Sequence, residues 1–488
     1  MREAIVVGGG FAGLSAAAAL SERGVRVTVL EARPTLGGRA TAHRDPETGD
    51  WVDNGQHVLL GCYHETFAFL RRIGSESLVN VQDDLRVDFV DLDGRRSRLS
   101  CPPLPAPLHL VAGVLAWRGL PLADRLSVLR LAPALLRAQK PQQLGTGLIS
   151  VPQLGTGPIN SAETAYEGSR HGNKNSARPQ SGSGNSTCPQ FGAQFGGTVA
   201  EWLRAHGQGA RLVEMLWEPL ALAALNQPPG GAEARYFVRV LAQMFGRDRR
   251  AAALALPTVP LHELYAEPAR AFIEARGGLV RTGAPARIVI EQGRVAHVAV
   301  RDERLTAEAV ICAVPWFALA DTIANPTPGL AATLDAASGT AASPIVTVNL
   351  WLDRPVLDLP FVGLPGRMFQ WVFDKRFAFG ETASHLSLVC SGGDDAVAMT
   401  NAALVERALA ELGAAIPAVH DAVVRRGTAV RERRATFSLA PGQPARPEAR
   451  TDVTGLVLAG DWLSTGLPAT IESAVASGHT AAGLFLSR

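Results

Sequence analysis

The 488-residue chain is short of lysine: Lys140, Lys174 and Lys375 are the only three, and arginine carries the rest of the positive charge. It is short of net charge too, with 47 basic against 45 acidic residues and a formal balance of +2. A nucleic-acid footprint needs a concentrated basic surface, so that class of partner is excluded. The five cysteines, Cys62, Cys101, Cys188, Cys312 and Cys390, are odd in number and never spaced as C-x-x-C. Neither a disulfide framework nor a zinc or other metal site is expected, and the compartment is a reducing one. The longest apolar runs, such as 108–117, fall well short of the ~18 residues of a spanning helix. No charged segment with an apolar core precedes the first strand at Ala4, so no cleavable signal is expected.

What the chain has is apolar mass, 47% hydrophobic against 19% charged residues, the balance of a globular protein with material for two domains. Its most informative stretch comes first. Residues 4–7 suit a buried parallel strand, and they feed into Gly8-Gly9-Gly10-Phe11-Ala12-Gly13, a G-x-G-x-x-G. Gly8 allows the tight turn, Gly10 lets the backbone approach a pyrophosphate, and Gly13 lets the helix expected over 14–23 pack closely on the strand. The N-terminus of that helix offers unpaired N–H groups and a positive dipole end to phosphates. A second strand, 25–30, leads to Glu31, 18 residues after Gly13. A carboxylate there accepts hydrogen bonds from both ribose hydroxyls and disfavours a 2′-phosphate.

Further along, 51–58 reads as a strand with the polar cluster Asp53-Asn54-Gly55-Gln56-His57, and 58–138 as mostly helical with strand-like pieces near 85–90. Within it, 102–137 is a proline-broken series of short apolar helices punctuated by Trp117, Arg118, Arg125, Arg130 and Arg137. Two readings stand for this series: a helical cap on its own domain, or an amphipathic face resting on lipid. From about 142 to 196 the composition shifts to Gly, Ser, Asn, Gln and Thr, with QLGTG at 143–147 repeated at 153–157. Such a segment cannot bury enough apolar area to fold alone, and a disordered insertion is expected. A helix over 212–225, broken by Pro219, carries Glu218 either on its exposed side or into a hydrophobic cavity. A helix over 267–277, a strand over 278–282 and a meander over 286–291, 293–301 and 305–314 follow. Alternating strands at 344–352, 369–373 and 386–390 suggest an antiparallel sheet, with Trp351, Phe369, Trp371 and Phe373 as cavity walls. An apolar strand ending in Gly460-Asp461 and a helix after Gly466 close the chain. No second strand-G-x-G-x-x-G-helix occurs, so a nicotinamide nucleotide has no evident domain and a separate electron donor is expected.

Gly37-Gly38-Arg39 follows Glu31 after five residues, and the whole pattern resembles the extended dinucleotide-binding motif of the FAD enzymes of the amine oxidase, protoporphyrinogen oxidase and phytoene desaturase superfamily. The resemblance implies that Gly37, Gly38 and Arg39 wrap the FAD pyrophosphate and that Gly55, Gln56 and His57 run beside the flavin. It implies that Ile288 meets the adenine through its backbone, and that 313–315 closes the parallel sheet. It further implies that Gly460 and Asp461 bind the ribityl and pyrophosphate side, while the helix entered through Pro468, Ala469, Thr470 and Ile471 aims its N-terminus at the flavin edge where negative charge develops. No cysteine or histidine lies between Gly460 and Gly478, so FAD is expected to be non-covalent. Amine oxidases of the family use a lysine near the flavin, but Lys375, between Asp374 and Arg376 ahead of a turn, reads as a solvated loop charge.

The implied fold class is α/β: a Rossmann-like FAD-binding domain, with a parallel sheet and meander, from 1–70, 265–320 and 425–488, and an interleaved α+β substrate domain from 71–264 and 321–424. Within the superfamily the segments 53–66, 217–226, 343–356 and 459–475 resemble those of the hydroxysqualene dehydroxylases, the squalene-associated FAD-dependent desaturases of hopanoid and isoprenoid biosynthesis. What this implies is reductive removal of a hydroxyl from hydroxysqualene, with Asp53, His57 and Glu218 as candidate general acids. A carotenoid-type desaturase is the nearest alternative, followed by an amine oxidase and a non-catalytic flavoprotein. So insoluble a substrate also implies a cytoplasmic protein peripheral to the inner face of a membrane, served by a separate electron donor.

Overall fold

The computed structural model describes residues 2–134, 196–246 and 248–487, so all but the end of the expected insertion lies outside the described residues. The glycine motif is the hinge between β1 (Glu3–Val7) and helix α1 (Phe11–Glu22), which leads to β2 (Arg26–Leu30). Three strands from far along the chain complete a parallel five-stranded sheet: β3 (Leu279–Arg281), β4 (Ala309–Cys312) and β5 (Leu456–Leu458), in the order β3-β2-β1-β4-β5. Every residue of β1 after Glu3 is buried, as a sheet covered on both faces requires. The three strands of the 286–305 meander form a separate four-stranded sheet with Ile323–Ala324, and β4 sits between β1 and β5 rather than at an edge.

Helix α1 is rich in alanine because it is crossed closely by the last helix, α2 (Ile471–Leu486). A Cβ added at Gly478 would stand 2.3 Å from the Ala12 carbonyl oxygen, so only glycine permits this approach. Ser15 of α1 donates its hydroxyl hydrogen to the Ala12 and Val475 carbonyls at 3.1 and 3.4 Å, filling the crossing with a satisfied polar group.

A seven-stranded sheet forms the other large layer, its strands running Val424–Phe437, Ala342–Leu352, Ser384–Ser391, Trp371–Asp374, Phe361–Gly363, Arg86–Val90 and Arg96–Ser100 in spatial order. Side chains alternate across it with period two. Val346, Val348 and Leu350 pack with Leu404, Ala408 and Leu412 of the helix Asn401–Ala415. Ile345 and Thr347 point the other way, toward Gly55, at 3.9 and 4.0 Å from where its Cβ would be. Two strands from before residue 101 thus join a sheet that otherwise comes from the last third of the chain.

Several expectations are corrected here. The stretch 58–138 is mixed, with helices His64–Arg72, Leu108–Ala116 and Leu122–Ser127 alternating with strands Leu59–Leu60, Val79–Val81, Arg86–Val90 and Arg96–Ser100. Pro219 does not break its helix. The chain stays helical from Ala210 to Leu225 because a π-turn over Val213–Trp217 hands over to a fresh α-helical start at Glu218, where the missing proline N–H costs nothing. The same device recurs at His262–Ala266 ahead of Pro268. The 14-residue strand Val424–Phe437 was not foreseen: its alternation is blurred because none of it is buried before Thr436 and Phe437.

Candidate active site

One cavity of about 680 Å³ runs between the two large sheets, and its lining changes character along its length. At one end the walls are backbone. Gly8 has a φ of +114°, and a Cβ there would meet the Ala313 carbonyl oxygen of the loop after β4 at 2.7 Å; at Gly13 a Cβ would lie 1.9 Å from the Gly8 carbonyl oxygen. Both glycines are thus required by close approach. Gly10 and Gly38 face each other backbone to backbone, with a Cβ at Gly38 only 3.2 Å from the Gly10 Cα. Glu31 follows β2 directly, buried, and its two carboxylate oxygens accept from Gly9 N–H at 2.7 Å and Arg33 N–H at 2.9 Å. The resulting cradle has α1 starting at its floor, a fixed acid at its far end and space that any side chain would fill.

Such a cradle fits a dinucleotide. The residues that would hold one are the Gly8–Gly10 turn for the pyrophosphate, Glu31 for a ribose, and Gly37, Gly38 and Arg39 closing over it. Arg39 forms an ion pair with Asp461 and donates to the Ala435 carbonyl at 3.0 Å, so the start and the end of the chain meet at this wall. The Asp461 carbonyl in turn accepts from Ser473 Oγ at 3.0 Å and Arg446 Nη2 at 2.6 Å. Thr470 caps α2 by accepting from Ser473 N–H, and Ala469, Thr470 and Ile471 line the cavity where that helix begins.

The other end is apolar. Val87, Phe89 and Leu99, together with Phe361, Trp371 and Phe373 from neighbouring strands of the same sheet, form its walls with Leu110 from the helix Leu108–Ala116, Leu216, Trp217 and Leu220 from the π-turned helix, and Met244. Of the expected cavity aromatics, Trp371 and Phe373 take part. Phe369 instead packs into the core behind the sheet, and Trp351 stacks on His385 while its Nε1 donates to Asp50 at 2.8 Å.

Between the two ends lies a short polar belt that includes Asn54, Gln56, His57, Asn226 and Thr436. His57 is half-buried with its accessible part facing the cavity, and its Nδ1 has no hydrogen-bond partner among the described residues. Burial pushes its pKa below the usual imidazole value; the nearby Asp53 charge opposes this and Lys375 adds to it. Asp53 lies behind the belt, buried, with Oδ2 at 3.3 Å from Lys375 Nζ. Lys375 is no solvated loop charge. It is fully buried, it also donates to Gln56 Oε1 at 2.6 Å, and its ammonium lies 4.3 Å from the Phe379 ring centre. Burying an ammonium requires this kind of complete pairing.

The remaining sequence candidates divide cleanly. Gly8, Gly10, Glu31, Gly37, Gly38, Arg39, Gly55, Gln56, His57, Gly460, Asp461, Ala469, Thr470 and Ile471 all line the cavity. Gly13 supports it from behind. Pro468 is not on the wall, and neither is Ile288, which is fully buried in the meander while Pro285 and Ala286 line the cavity in its place. Glu218 is likewise off the cavity, although its neighbours Trp217 and Pro219 are on it; burial and the nearby Glu214 charge raise its pKa.

Two contributors escaped the sequence reading. Tyr265 is fully buried, stacks on Phe11 with ring centres 3.5 Å apart and donates to the Gly37 carbonyl at 2.7 Å, bracing both glycine turns from behind. Asn226, in the left-handed conformation at a φ of +53°, donates to the Ser343 carbonyl and Thr436 Oγ1, both at 3.0 Å, and ties the π-turned helix to the sheet. For Lys375 a signal existed. In a chain that uses arginine almost everywhere, a retained lysine marks a place where a compact ammonium is wanted.

Comparison with known proteins gives this geometry a family. Residues 11–485 match the family model described as flavin containing amine oxidoreductase. The chain is 29% identical over 99% of its length to hydroxysqualene dehydroxylase of Rhodopseudomonas palustris, covering 98% of that protein. It is 23% identical over its full length to 15-cis-phytoene desaturase of Synechococcus elongatus, covering 96% of it. Among solved structures, an oxidoreductase from Methanosarcina mazei superposes with a TM-score of 0.70 at 17% identity, with all of both chains covered.

Proposed function

We propose, from the premise that this chain belongs to the flavin-containing amine oxidoreductase family, that it is the enzyme that removes the hydroxyl group of hydroxysqualene reductively to give squalene, with non-covalent FAD as its cofactor. The observation that carries this reading is the cavity's change of character: a glycine-built cradle for a dinucleotide opens, across a narrow polar belt, into a chamber walled by hydrocarbon. A long isoprenoid with a single oxygen matches that sequence of surfaces. Similarity to a hydroxysqualene dehydroxylase along the whole chain supports the same choice.

Replacing a carbon-bound hydroxyl by hydrogen needs a hydride equivalent at carbon and a proton at the departing oxygen, which leaves as water. The flavin, when bound, supplies the two-electron chemistry. The chain supplies the rest. Its apolar chamber holds the hydrocarbon and excludes water, which strengthens every polar interaction at the belt. Of the three acid candidates only His57 lines the cavity. It is the group we assign to the departing oxygen, while Asp53 and Lys375 hold the belt from behind and Glu218 takes no direct part.

Delivery of so insoluble a substrate calls for a lipid surface. No described helix is long and apolar enough to cross a membrane. Leu104, Leu108, Leu122, Leu126 and Leu129 are nevertheless exposed along 104–130, with Arg118, Arg125 and Arg130 in the same stretch, and Leu110 of that segment lines the chamber. We assign this face to the bilayer, lying on it rather than across it.

The test is anaerobic. Photoreduced enzyme mixed with hydroxysqualene should regain the oxidised flavin spectrum as squalene accumulates in the lipid extract. A flavin that stays reduced with hydroxysqualene, but whose oxidised form desaturates phytoene, would transfer the assignment to the carotenoid-type alternative. Peroxide released on amines would point to an amine oxidase. Flavin inert to every substrate would leave a binding protein.

A further inference from the structure

Resting on that reading of the substrate, we propose that Gln56 is the residue that recognises the substrate's oxygen, and that Lys375 is the positioning residue that makes it a hydrogen-bond donor. A primary amide can turn either end to a neighbour, and its two ends differ in what they offer a ligand. Lys375 removes the choice. An ammonium can only donate, so the atom of Gln56 that stands 2.6 Å from Nζ is the carbonyl oxygen. The amide N–H2 is therefore directed elsewhere, and among the described residues it has no protein partner while Gln56 itself lines the cavity.

The ammonium is held in turn. Lys375 is fully buried at the start of the helix Lys375–Phe379, directly after the strand whose Trp371 and Phe373 wall the chamber. Its donors are directed at Asp53 Oδ2, Gln56 Oε1 and the Phe379 ring. Asp53 supplies the countercharge from the strand Trp51–Asp53, immediately ahead of the belt. Two segments more than 300 residues apart are thus locked so that one uncharged N–H donor faces the cavity at the point where the cradle meets the chamber. A site built to hydrogen-bond an oxygen rejects the analogue that lacks it, because its donor would be left buried and unpaired. Isoprenoid alcohols, rather than the corresponding hydrocarbons, are the ligand class this arrangement selects.

The experiment uses the full-length flavin-loaded protein and compares hydroxysqualene with squalene. Binding is read from quenching of tryptophan fluorescence, since Trp217 and Trp371 line the chamber, and turnover is read separately. Wild type should bind the alcohol about tenfold more tightly than the hydrocarbon, the order expected of one buried hydrogen bond. Gln56→Glu, equal in volume but without the N–H2 donor, should lose that preference through weaker binding of the alcohol, with squalene affinity unchanged. Lys375→Met combined with Asp53→Asn, which removes the ammonium without stranding its countercharge, should lose it as well, because the amide is then free to turn. A preference that survives Gln56→Glu overturns the proposal, as does an altered flavin spectrum with selectivity intact, which would assign Gln56 to the cofactor. If wild type itself shows no preference for the alcohol, the substrate reading fails and the proposal falls with it, so the two failures are distinguished by the wild-type measurement.

Discussion

In the glycine-lined arm of the cavity the backbone makes the wall, and in the apolar chamber side chains do. The arm is lined by the glycine turn from Gly8 to Ala12, by Gly37 to Ala40, by the loop Ala313 to Pro315 with Pro285 and Ala286, and by the late segment around Asp461. The chamber takes one or a few residues from each of several elements spread between Leu85 and Val389. A backbone wall has no adjustable part. A side-chain wall can repack around a change of similar volume, because hydrocarbon contacts are non-directional. The two regions should therefore respond to substitution in opposite ways.

The sharpest break of this comparison is one methyl group in the arm. Gly13→Ala would place Cβ 1.9 Å from the Gly8 carbonyl oxygen, which cannot move without distorting the turn. The purified protein should carry no flavin, as its visible absorbance would show. In the chamber, Leu99→Met conserves volume and should cost less than about 1.5 kcal/mol in a denaturation experiment, with flavin retained. Equal flavin content in these two variants would remove the distinction.

The same difference decides how much of the protein was legible from its sequence. A backbone wall is written in consecutive residues: glycine at three fixed spacings, a strand before, a helix after and Glu31 beyond. The first parallel strands and the meander followed from such local marks, while the meeting of both chain ends followed from the family resemblance of the segment at Gly460-Asp461. The chamber left no such mark, because Leu99, Leu110 and Phe361 are unremarkable leucines and phenylalanines until the fold assembles them. The cavity aromatics were half right for a related reason. Phe369 lies before the regular strand Trp371–Asp374, so period-two alternation did not carry back to it. Lys375 was misread because its sequence neighbours are charged, whereas its spatial neighbours, Asp53 and Gln56, are more than 300 residues away.

Filling the chamber sharpens the comparison from the other side. Ala223 lines the cavity on the helix Glu218–Leu225 and is open to its space. Ala223→Phe should lower kcat/KM for hydroxysqualene about a hundredfold, the upper range for a change of hydrocarbon volume in a pocket. Flavin content should stay at the wild-type level, because the added ring lies in the other arm. Loss of flavin here would mean that the two regions are not independent.

Smaller still is the effect expected on the outer side of the chamber wall. Leu122, Leu126 and Leu129 fall on one face at helical spacing and are 66%, 48% and 45% exposed. Replacing all three by serine should weaken sedimentation with anionic liposomes by about tenfold, since each leucine is only partly withdrawn from water at an interface. Turnover of substrate presented in detergent should be unchanged. Liposome binding that does not change would relocate the membrane face.

The smallest effect lies at the belt between the two arms and shows as a dependence of stability on pH. Burial holds the His57 pKa below its ordinary 6.5, so the folded protein resists a proton that the unfolded chain accepts. A group with a depressed folded pKa contributes stability that is complete above the unfolded value and is lost as pH falls toward the folded one. Stability should therefore decline as pH drops below 6.5, and His109, also lowered by burial, adds to the slope. Glu472 and Glu218 act in the opposite sense, because burial raises their pKa above the ordinary 4.5 and their contribution is lost as pH rises through the folded value. The net slope mixes these groups, but a difference between variants isolates one. His57→Gln removes a single titrating site facing Asp53 and Lys375, and it should flatten the fall in melting temperature between about pH 7 and pH 5. A slope identical to wild type would mean that His57 is protonated as readily in the folded protein as in the unfolded chain, and the belt would then be open to water instead of sealed between the cradle and the chamber.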